Sequence, residues 1–560
     1  MFAQLLSFVL LLPSLVTAQA PTPAFPDRNN PPRFSNVTLP QPTGPPPIGK
    51  CKNVQARNVR GDQEKAEAIK DAFRYGYNAY VKYAFGYDEL MPLSANGTND
   101  YYGWGLTIID SIDTAIIMGL EDVVKQMLDF ISKVDFSLPK TDEPVQVFET
   151  NIRYLGGLIS AYDLLKSGQF PGSYDTQQIE VLLKQATILI DKLAYGFNTP
   201  TGLPAVYVNF TTNTPVPDTY VDPVTNQTYN STDSASSGSY LLEFWRMSDL
   251  TGNATYRRLA ERANSYLIHP DPKPVYPGLI GTQFDIDTGK MLTFDGGWAA
   301  GVDSFLEYLI KSVQYNPQSN TTQAYRAFWL TAVQSTMNHI ALHPYGFPHL
   351  TFLSRLTTNG TVEQLMDDFS CFAGGNFLLG GALLDLPRIS ALGIDVTHGC
   401  HQTYNTTATG LGPLAWGWFN EADQAYIRYY ENDAAKRKSA QRRGFYTPPR
   451  LENWFSRPEP VESLWYAHRI TGEARWAAYA WEVFQAVEAT AKTEIAFAAV
   501  NDVDIRDGGS MSNNLDSFFF AEVLKYLYLT FTEPDVVDLS EWVFNTEAHP
   551  FRALCAAGSS

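Results

Sequence analysis

Two kinds of helical pattern alternate along the chain. In the first, apolar residues recur at helical spacing against a polar background. Ile69, Phe73, Tyr77, Tyr80 and Ala84 fall at i, i+4, i+8, i+11 and i+15, which predicts an amphipathic helix. Further runs of this kind cover 121–134, 178–193, 256–267, 323–342 and 475–491. In the second kind, segments are apolar on nearly every side and several carry acids at or near their start. Examples are Asp110-Ser111-Ile112-Asp113, Phe148-Glu149-Thr150, Asp303 to Glu307, Glu459 with Glu462, and Asp516-Ser517-Phe518. Helices near 241–247 and 372–384 bring such segments to seven. Seven buried helices, each paired with an outer one, predict an all-α closed toroid of helix hairpins. Its inner helices point the same way, so their N-termini converge on one rim.

Asp, Ser and Glu are good N-cap and first-turn residues, and capping accounts for any single acid taken alone. It does not account for Glu307 and Glu522, which lie well inside apolar helices, because an unpaired buried carboxylate is costly. Several acids facing one cavity are what glycoside hydrolysis needs: one carboxyl protonates the leaving oxygen and another activates water.

Strand-like alternation is sparse and short. Residues 197–239 read as a long polar loop, and Lys436-Arg437-Lys438 with Arg442-Arg443 as a solvated basic loop. Ten prolines between residues 21 and 48 predict an extended linker over 19–56. No comparable break follows, so 57–551 reads as one domain, with 552–560 as a tail.

The composition narrows the function. Of 560 residues 44% are apolar, enough for a large core and incompatible with global disorder. The formal charge of −18 is a poor match to nucleic acid or an anionic membrane surface. Residues 1–18 carry no charged side chain and end in a small-residue exit, Val16-Thr17-Ala18, as a secretory signal peptide does. No later segment reaches 18 consecutive apolar residues, so a soluble, secreted or lumenal protein without a membrane span is expected. Nine sequons, at Asn36, Asn96, Asn209, Asn226, Asn230, Asn253, Asn320, Asn359 and Asn405, predict a glycoprotein. The four cysteines show no metal-ligand spacing. One or two bridges are expected. Cys371 and Cys400, close in sequence, are the favoured pair, and Cys51 would join Cys555 if the termini meet. HExxH, the P-loop, GxSxG and a Rossmann fingerprint are all missing from the sequence.

Six strings then carry a resemblance: VFETNIRYLGGLISAY (147–162), GVDSFLEYLIK (301–311), CFAGGNFLLGG (371–381), RPEPVESLWYAHRITG (457–472), DSFFFAEVLKYLYLTF (516–531) and FNTEAHPF (544–551). They resemble class I α-1,2-mannosidases, glycoside hydrolase family 47, most of all the secreted fungal members. The resemblance implies an (α/α)7 barrel plugged by a C-terminal hairpin. It also implies calcium-dependent, inverting removal of α-1,2-linked mannose from high-mannose N-glycans by a monomeric enzyme. Glu149 matches the family's proposed general acid, Glu459 its proposed base and Asp303 a third catalytic acid. An inverting pair should stand about 6.5–9.5 Å apart. Arg153, Arg457, Glu462, Phe518, Glu522 and Glu547 match substrate-site positions, and Thr546 matches the calcium residue, with water and sugar oxygens filling the shell. The family pattern also supports the Cys371–Cys400 bridge. Four positions depart from it: Asp368 stands for a usual His, Leu414 and Ser236 for usual Glu residues, and Gly301 for an Arg found in some members. Two other readings follow from the same features: a weakly active lectin or quality-control factor for high-mannose glycans, and an (α/α)-barrel glycosidase of free oligosaccharides.

Overall fold

Helix α1 (Gln63–Tyr83) opens the folded chain, and six inner–outer hairpins follow it. They are α2 (Leu106–Ile117) with α3 (Glu121–Ile131), α4 (Gly156–Ser167) with α5 (Thr176–Leu193), and α6 (Leu241–Thr251) with α7 (Ala254–Leu267). Next come α8 (Asp303–Tyr315) with α9 (Asn320–Ser335), α10 (Phe372–Leu383) with α11 (Pro387–Asn405), and α12 (Glu459–Thr471) with α13 (Ala474–Ala486). The last inner helix, α14 (Leu524–Thr530), packs on α1 and completes a seventh pair. Inner helices touch in order around a ring, from α2 through α4, α6, α8, α10 and α12 to α14, and the π-helical turn Phe519–Val523 before α14 returns to α2. The ring is an (α/α)7 barrel. This computed structural model describes residues 38–40, 52–419 and 428–554. The signal segment 1–18, Asn36, Cys51 and Cys555 lie outside the described residues.

Side-chain patterning separates the two layers. Every residue of α2 is buried, as is Ser304–Tyr315 of α8. Outer α3 buries only Val123, Val124, Met127, Leu128 and Ile131, one face at helical spacing. The outer helices α1, α5, α7 and α9 are capped by Asp62, Asp175, Asn253 and Ser319, whose side chains accept backbone N–H bonds. The inner helices α2, α8 and α12 have no side-chain cap. Asp303 and Glu459 stand one residue inside α8 and α12; Asp303 accepts the Ser304 N–H at 2.8 Å through Oδ1, and both acids line the barrel's open end. Gly252 and Gly472 close α6 and α12 at φ 74° and 70°, the left-handed conformation that turns the chain into the outer helix.

The C-terminal hairpin pairs Trp542–Phe544 with Pro550–Arg552 and drives its loop, 545–549, into the barrel. The plug seats against the start of α4. A Cβ at Gly156 would lie 2.7 Å from both Asn545 Nδ2 and His549 Cδ2, so only glycine fits there.

Four sequence expectations are corrected. Residues 197–239 are not a polar loop: they supply strands Tyr207–Asn209, Thr214–Val216, Asp218–Val221 and Thr228–Asp233 of two three-stranded sheets. Thr and Tyr are frequent there, and alternation over such short stretches gives little period-2 signal. The basic stretch is not a loop but part of helix Ala434–Arg443, and its Arg443 is buried on Asp504 at 2.6 Å. The run 323–342 stops being α-helical at Ser335, passes through a π-turn, Thr336–Ile340, and ends in strand Ala341–Leu342. The run 475–491 likewise ends in a π-turn, Val487–Ala491. The described ends of the linker lie against the barrel: Leu39 is buried and Ala56 N–H donates to Arg469 O at 2.8 Å.

Cys371 and Cys400 are bridged, with a Cα–Cα distance of 6.0 Å, and tie the start of α10 to α11. Replacing both by alanine should cost roughly 3–4 kcal/mol in the loop-entropy account, read as a lower denaturation midpoint. Of the eight described sequon asparagines, all but the half-buried Asn209 are exposed.

Candidate active site

The first turns of α8 and α12 and the π-helical turns that precede α4 and α14 meet at an open cleft. Glu149, Arg153, Asp303, Arg457, Glu459, Phe518, Glu522, Thr546 and Glu547 all line it. Glu462 does not. It sits one turn further along α12, buried, where it accepts from Tyr526 Oη at 3.3 Å and faces Lys311 Nζ at 3.5 Å. The side walls come from the two small sheets, through Tyr207, Asp218, Ser231, Asp233 and Gln283.

Glu149 precedes the π-helical turn Thr150–Leu155 that leads into α4. Arg153, at i+4, donates Nε–H to Glu149 Oε2 at 2.8 Å and Nη1–H to Ser517 Oγ at 3.1 Å. The same guanidinium lies 3.4 Å from Glu547 Oε1. It stands 5.2 Å from the Phe518 ring, and the Arg457 guanidinium lies 5.0 Å from that ring and 4.0 Å from Phe369. Phe518 is thus a flat face fixed by two cations.

The carboxyls have unequal surroundings. Burial drives Asp303 well above the usual range, and Asp367, Glu459 and Asp233 add to this against one N–H bond from Ser304. Burial lifts Glu459 to about 7, opposed by Arg457. Glu522 is raised well above its ordinary value by burial and by Glu547, Glu459, Glu462 and Asp110. Glu149, by contrast, holds an ion pair with buried Arg153 at 2.8 Å. Glu307 has a different fate: Lys311, one turn on, neutralises it and also donates to Asn545 O at 3.3 Å.

The floor is a buried polar network. His549, on the plug, lies with Nδ1 2.8 Å from Asp113 Oδ2 and Nε2 3.1 Å from Asp110 Oδ1. Burial alone would lower the imidazole pKa; Asp113 and Asp110 outweigh it and raise it. Lys525 Nζ donates to Asp113 Oδ2 at 2.9 Å and to Ala548 O at 2.6 Å. Ser517 Oγ bonds Asp110 and so joins this network to Arg153 and Glu149. Lys525→Met removes one partner of Asp113, which keeps His549 and Ser160 Oγ–H at 2.9 Å, and should cost about 1.5–3 kcal/mol in chemical denaturation, the usual share of a hydrogen bond to a buried charge.

The family model for glycosyl hydrolase family 47 matches residues 72–553. The chain belongs to glycosyl hydrolase family 47. The mannosyl-oligosaccharide α-1,2-mannosidase of Penicillium citrinum is 38% identical over 515 residues, 90% of this chain and 95% of its own. That of Coccidioides posadasii is 39% identical over 516 residues, 90% of this chain and 93% of its own. The structure of α-1,2-mannosidase from Trichoderma reesei superposes with a TM-score of 0.80 at 36% identity, covering 88% of this chain and all of that one.

Among family 47 positions, the departures fall into two places. Ser236 and Gly301 line the cleft, where small side chains leave it open. Asp368 and Leu414 are both buried and are joined by a bond from Asp368 N–H to Leu414 O at 2.9 Å. Both carboxyl oxygens of Asp368 lack a hydrogen-bond partner. Sequence reasoning missed Asp233, His549 and Lys525 as parts of the site. His549 stands two residues past Glu547 in a motif already singled out; nothing local marked Asp233, whose strand brings it in.

Proposed function

We propose that the protein hydrolyses terminal α-1,2-linked mannose from high-mannose N-glycans, with inversion and with calcium. The observation that carries this reading is the convergence of Glu149, Asp303 and Glu459, from three different helix starts, on one cleft. The names of the relatives at 38–39% identity supply the bond type. In this reading Glu149 gives a proton to the leaving oxygen, Glu459 takes one from water, and Phe518 supports the sugar ring. A lectin would need the cleft but not the three acids, so their presence favours hydrolysis.

One observation favours a second assignment of the proton donor. Burial and neighbouring acids raise the Asp303 carboxyl well above its ordinary range, whereas Glu149 is already engaged by Arg153 Nε–H at 2.8 Å. α-Mannosyl fluoride separates the two, because its leaving group needs little protonation. The variant lacking the donor, Glu149→Gln or Asp303→Asn, should keep much of its fluoride turnover while losing oligosaccharide turnover.

Calcium fits Thr546. Its hydroxyl and carbonyl oxygens take no hydrogen bond among the described residues, and only its N–H is engaged, with Tyr308 Oη at 3.3 Å. Among the described residues no three His, Cys, Asp or Glu side chains converge to hold an ion by themselves, so water and sugar oxygens would complete the shell. The acids pressing on Glu522 suit a cation nearby. The chemistry that calcium supplies in such a place is polarisation of water and sugar oxygens.

Residues 1–18 and the exposed sequons support a glycosylated protein of the secretory route. No described helix is long and apolar enough to cross a membrane. The test of the whole reading is incubation with a nine-mannose N-glycan, following the products by NMR. Free mannose should appear first as the β-anomer. Early α-mannose would exclude inversion, and no release would exclude the function.

A further inference from the structure

The C-terminal plug reaches Glu149 through an unbroken chain of hydrogen bonds. His549 Nε2 lies 3.1 Å from Asp110 Oδ1. Ser517 Oγ–H donates to the other oxygen of the same carboxyl, Oδ2. Arg153 Nη1–H donates to Ser517 Oγ at 3.1 Å, and Arg153 Nε–H donates to Glu149 Oε2 at 2.8 Å. All five residues are buried, and they come from the plug, from α2, from the segment before α14 and from the start of α4's π-turn. We propose that Asp110 and Ser517 are positioning residues, through which His549 on the plug fixes Arg153 and thereby the carboxyl of Glu149 for its part in hydrolysis. The proposal rests on the function given above and adds to its machinery two residues that do not line the cleft.

The chemistry of each group sets the direction of its bond. A guanidinium only donates, so Arg153 needs acceptors where it is to be held. Glu149 is one and the Ser517 oxygen is another. Ser517 offers a lone pair to Arg153 because its own hydrogen is committed to Asp110. Asp110 is in turn engaged at both oxygens, so its carboxyl cannot turn without breaking a bond to the plug or to Ser517. His549 is anchored behind it: Nδ1 lies 2.8 Å from Asp113, which also takes bonds from Lys525 and Ser160. The backbone of Ser517 is held as well, its N–H donating to Glu89 Oε1 at 2.9 Å. Glu547 Oε1 also approaches Arg153 Nη1, but at 3.4 Å, further than Ser517. In a buried network each bond orients the next, and water does not compete for them. A carboxyl that must meet a substrate oxygen or a water gains from such fixing, because a misplacement of about 1 Å costs on the order of 10²-fold in rate.

The test is a double-mutant cycle on turnover of a high-mannose oligosaccharide, with Glu149→Gln as the second change. Ser517→Ala removes the link between Asp110 and Arg153. Asp110→Asn keeps the side chain's shape, but an amide accepts at one position and donates at the other, so it cannot take both bonds. In the wild-type background each change should lower kcat by about 10-fold, with KM within about twofold. In the Glu149→Gln background each should lower kcat by less than about twofold, because the carboxyl they position is gone. Equal fold losses in the two backgrounds overturn the proposal, since a general loosening of the fold acts whether or not residue 149 is an acid. No loss in the wild-type background overturns it too. Melting curves check that each variant folds. If Ser517→Ala does not, Asp110→Asn carries the same comparison with the same outcomes. A wild type that releases no mannose overturns the proposed function itself, and the positioning role with it.

Discussion

Glu459→Gln, Asp303→Asn and Glu149→Gln should each fold and lose roughly 10²–10⁴-fold in turnover, the usual share of a general acid or base. Each change removes a titratable group and keeps its shape. Their stabilities should move in opposite directions. Asp303 and Glu459 are carboxyls whose charged forms are opposed by burial and by other acids, so the amides should melt at the wild-type temperature or above it. Glu149 holds buried Arg153, so its amide should melt lower. Melting curves and steady-state rates on the oligosaccharide measure both. Turnover within about tenfold of wild type in any variant would remove that residue from the acid–base machinery. A uniform loss of stability in all three would refute the account of their surroundings.

The barrel was legible because two helical periods with different polarity leave different traces. A segment such as Leu106–Ile117 carries no Lys, Arg or Glu and only a narrow stripe of Asp, Ser and Thr, so it sits inside with that stripe in a polar network; Glu121–Ile131 has a broad charged face, so it sits outside. Alternation of the two along the chain then dictates a ring. What failed was local. The strands between Tyr207 and Asp233 are three to six residues long, and their registers are set by partners as distant as Gln283–Asp285. No window of sequence contains that information. The π-turns were invisible for the same reason: the residues on either side keep the helical spacing, and the shift appears only in the backbone bonds.

The site divides in a similar way. The acids at helix starts had two readings from sequence, cap or cleft, and the structure shows both: Asp303 accepts the Ser304 N–H, yet it lines the cleft with Glu149 and Glu459. Glu307 and Glu522 looked alike as acids within apolar helices. Only the structure separates them, because Lys311 pairs with the first, while among the described residues no salt bridge reaches the second and other acids press on it. His549 was hidden by distance: its partners Asp110 and Asp113 lie more than four hundred residues away in sequence.

Removing calcium should lower both activity and melting temperature, and Thr546→Ala should abolish both responses. The argument starts from the charges beneath the cleft. Glu462 is raised to about 8, chiefly by burial, with Glu307 and Glu459 adding to the shift and Lys311 opposing it; Tyr526 and Tyr466 face the same cluster. Glu459 is raised to about 7. A carboxyl whose folded pKa exceeds its unfolded value binds more protons in the native state. Stability of the metal-free protein should therefore fall as pH rises from the ordinary carboxylate range, about 4.5, towards about 8. A bound cation favours the ionised carboxyls, so its affinity should rise over the same interval as protons cease to compete. Melting temperatures taken from pH 5 to 8, with chelator and with added calcium, should diverge as pH increases. Because calcium would bind only the folded state, the separation should also grow with its concentration. Thr546→Ala should follow the chelated curve at every pH. Curves that coincide across the range, with full turnover in a verified metal-free preparation, would refute calcium as a participant and leave the roles proposed for the three carboxyls untouched.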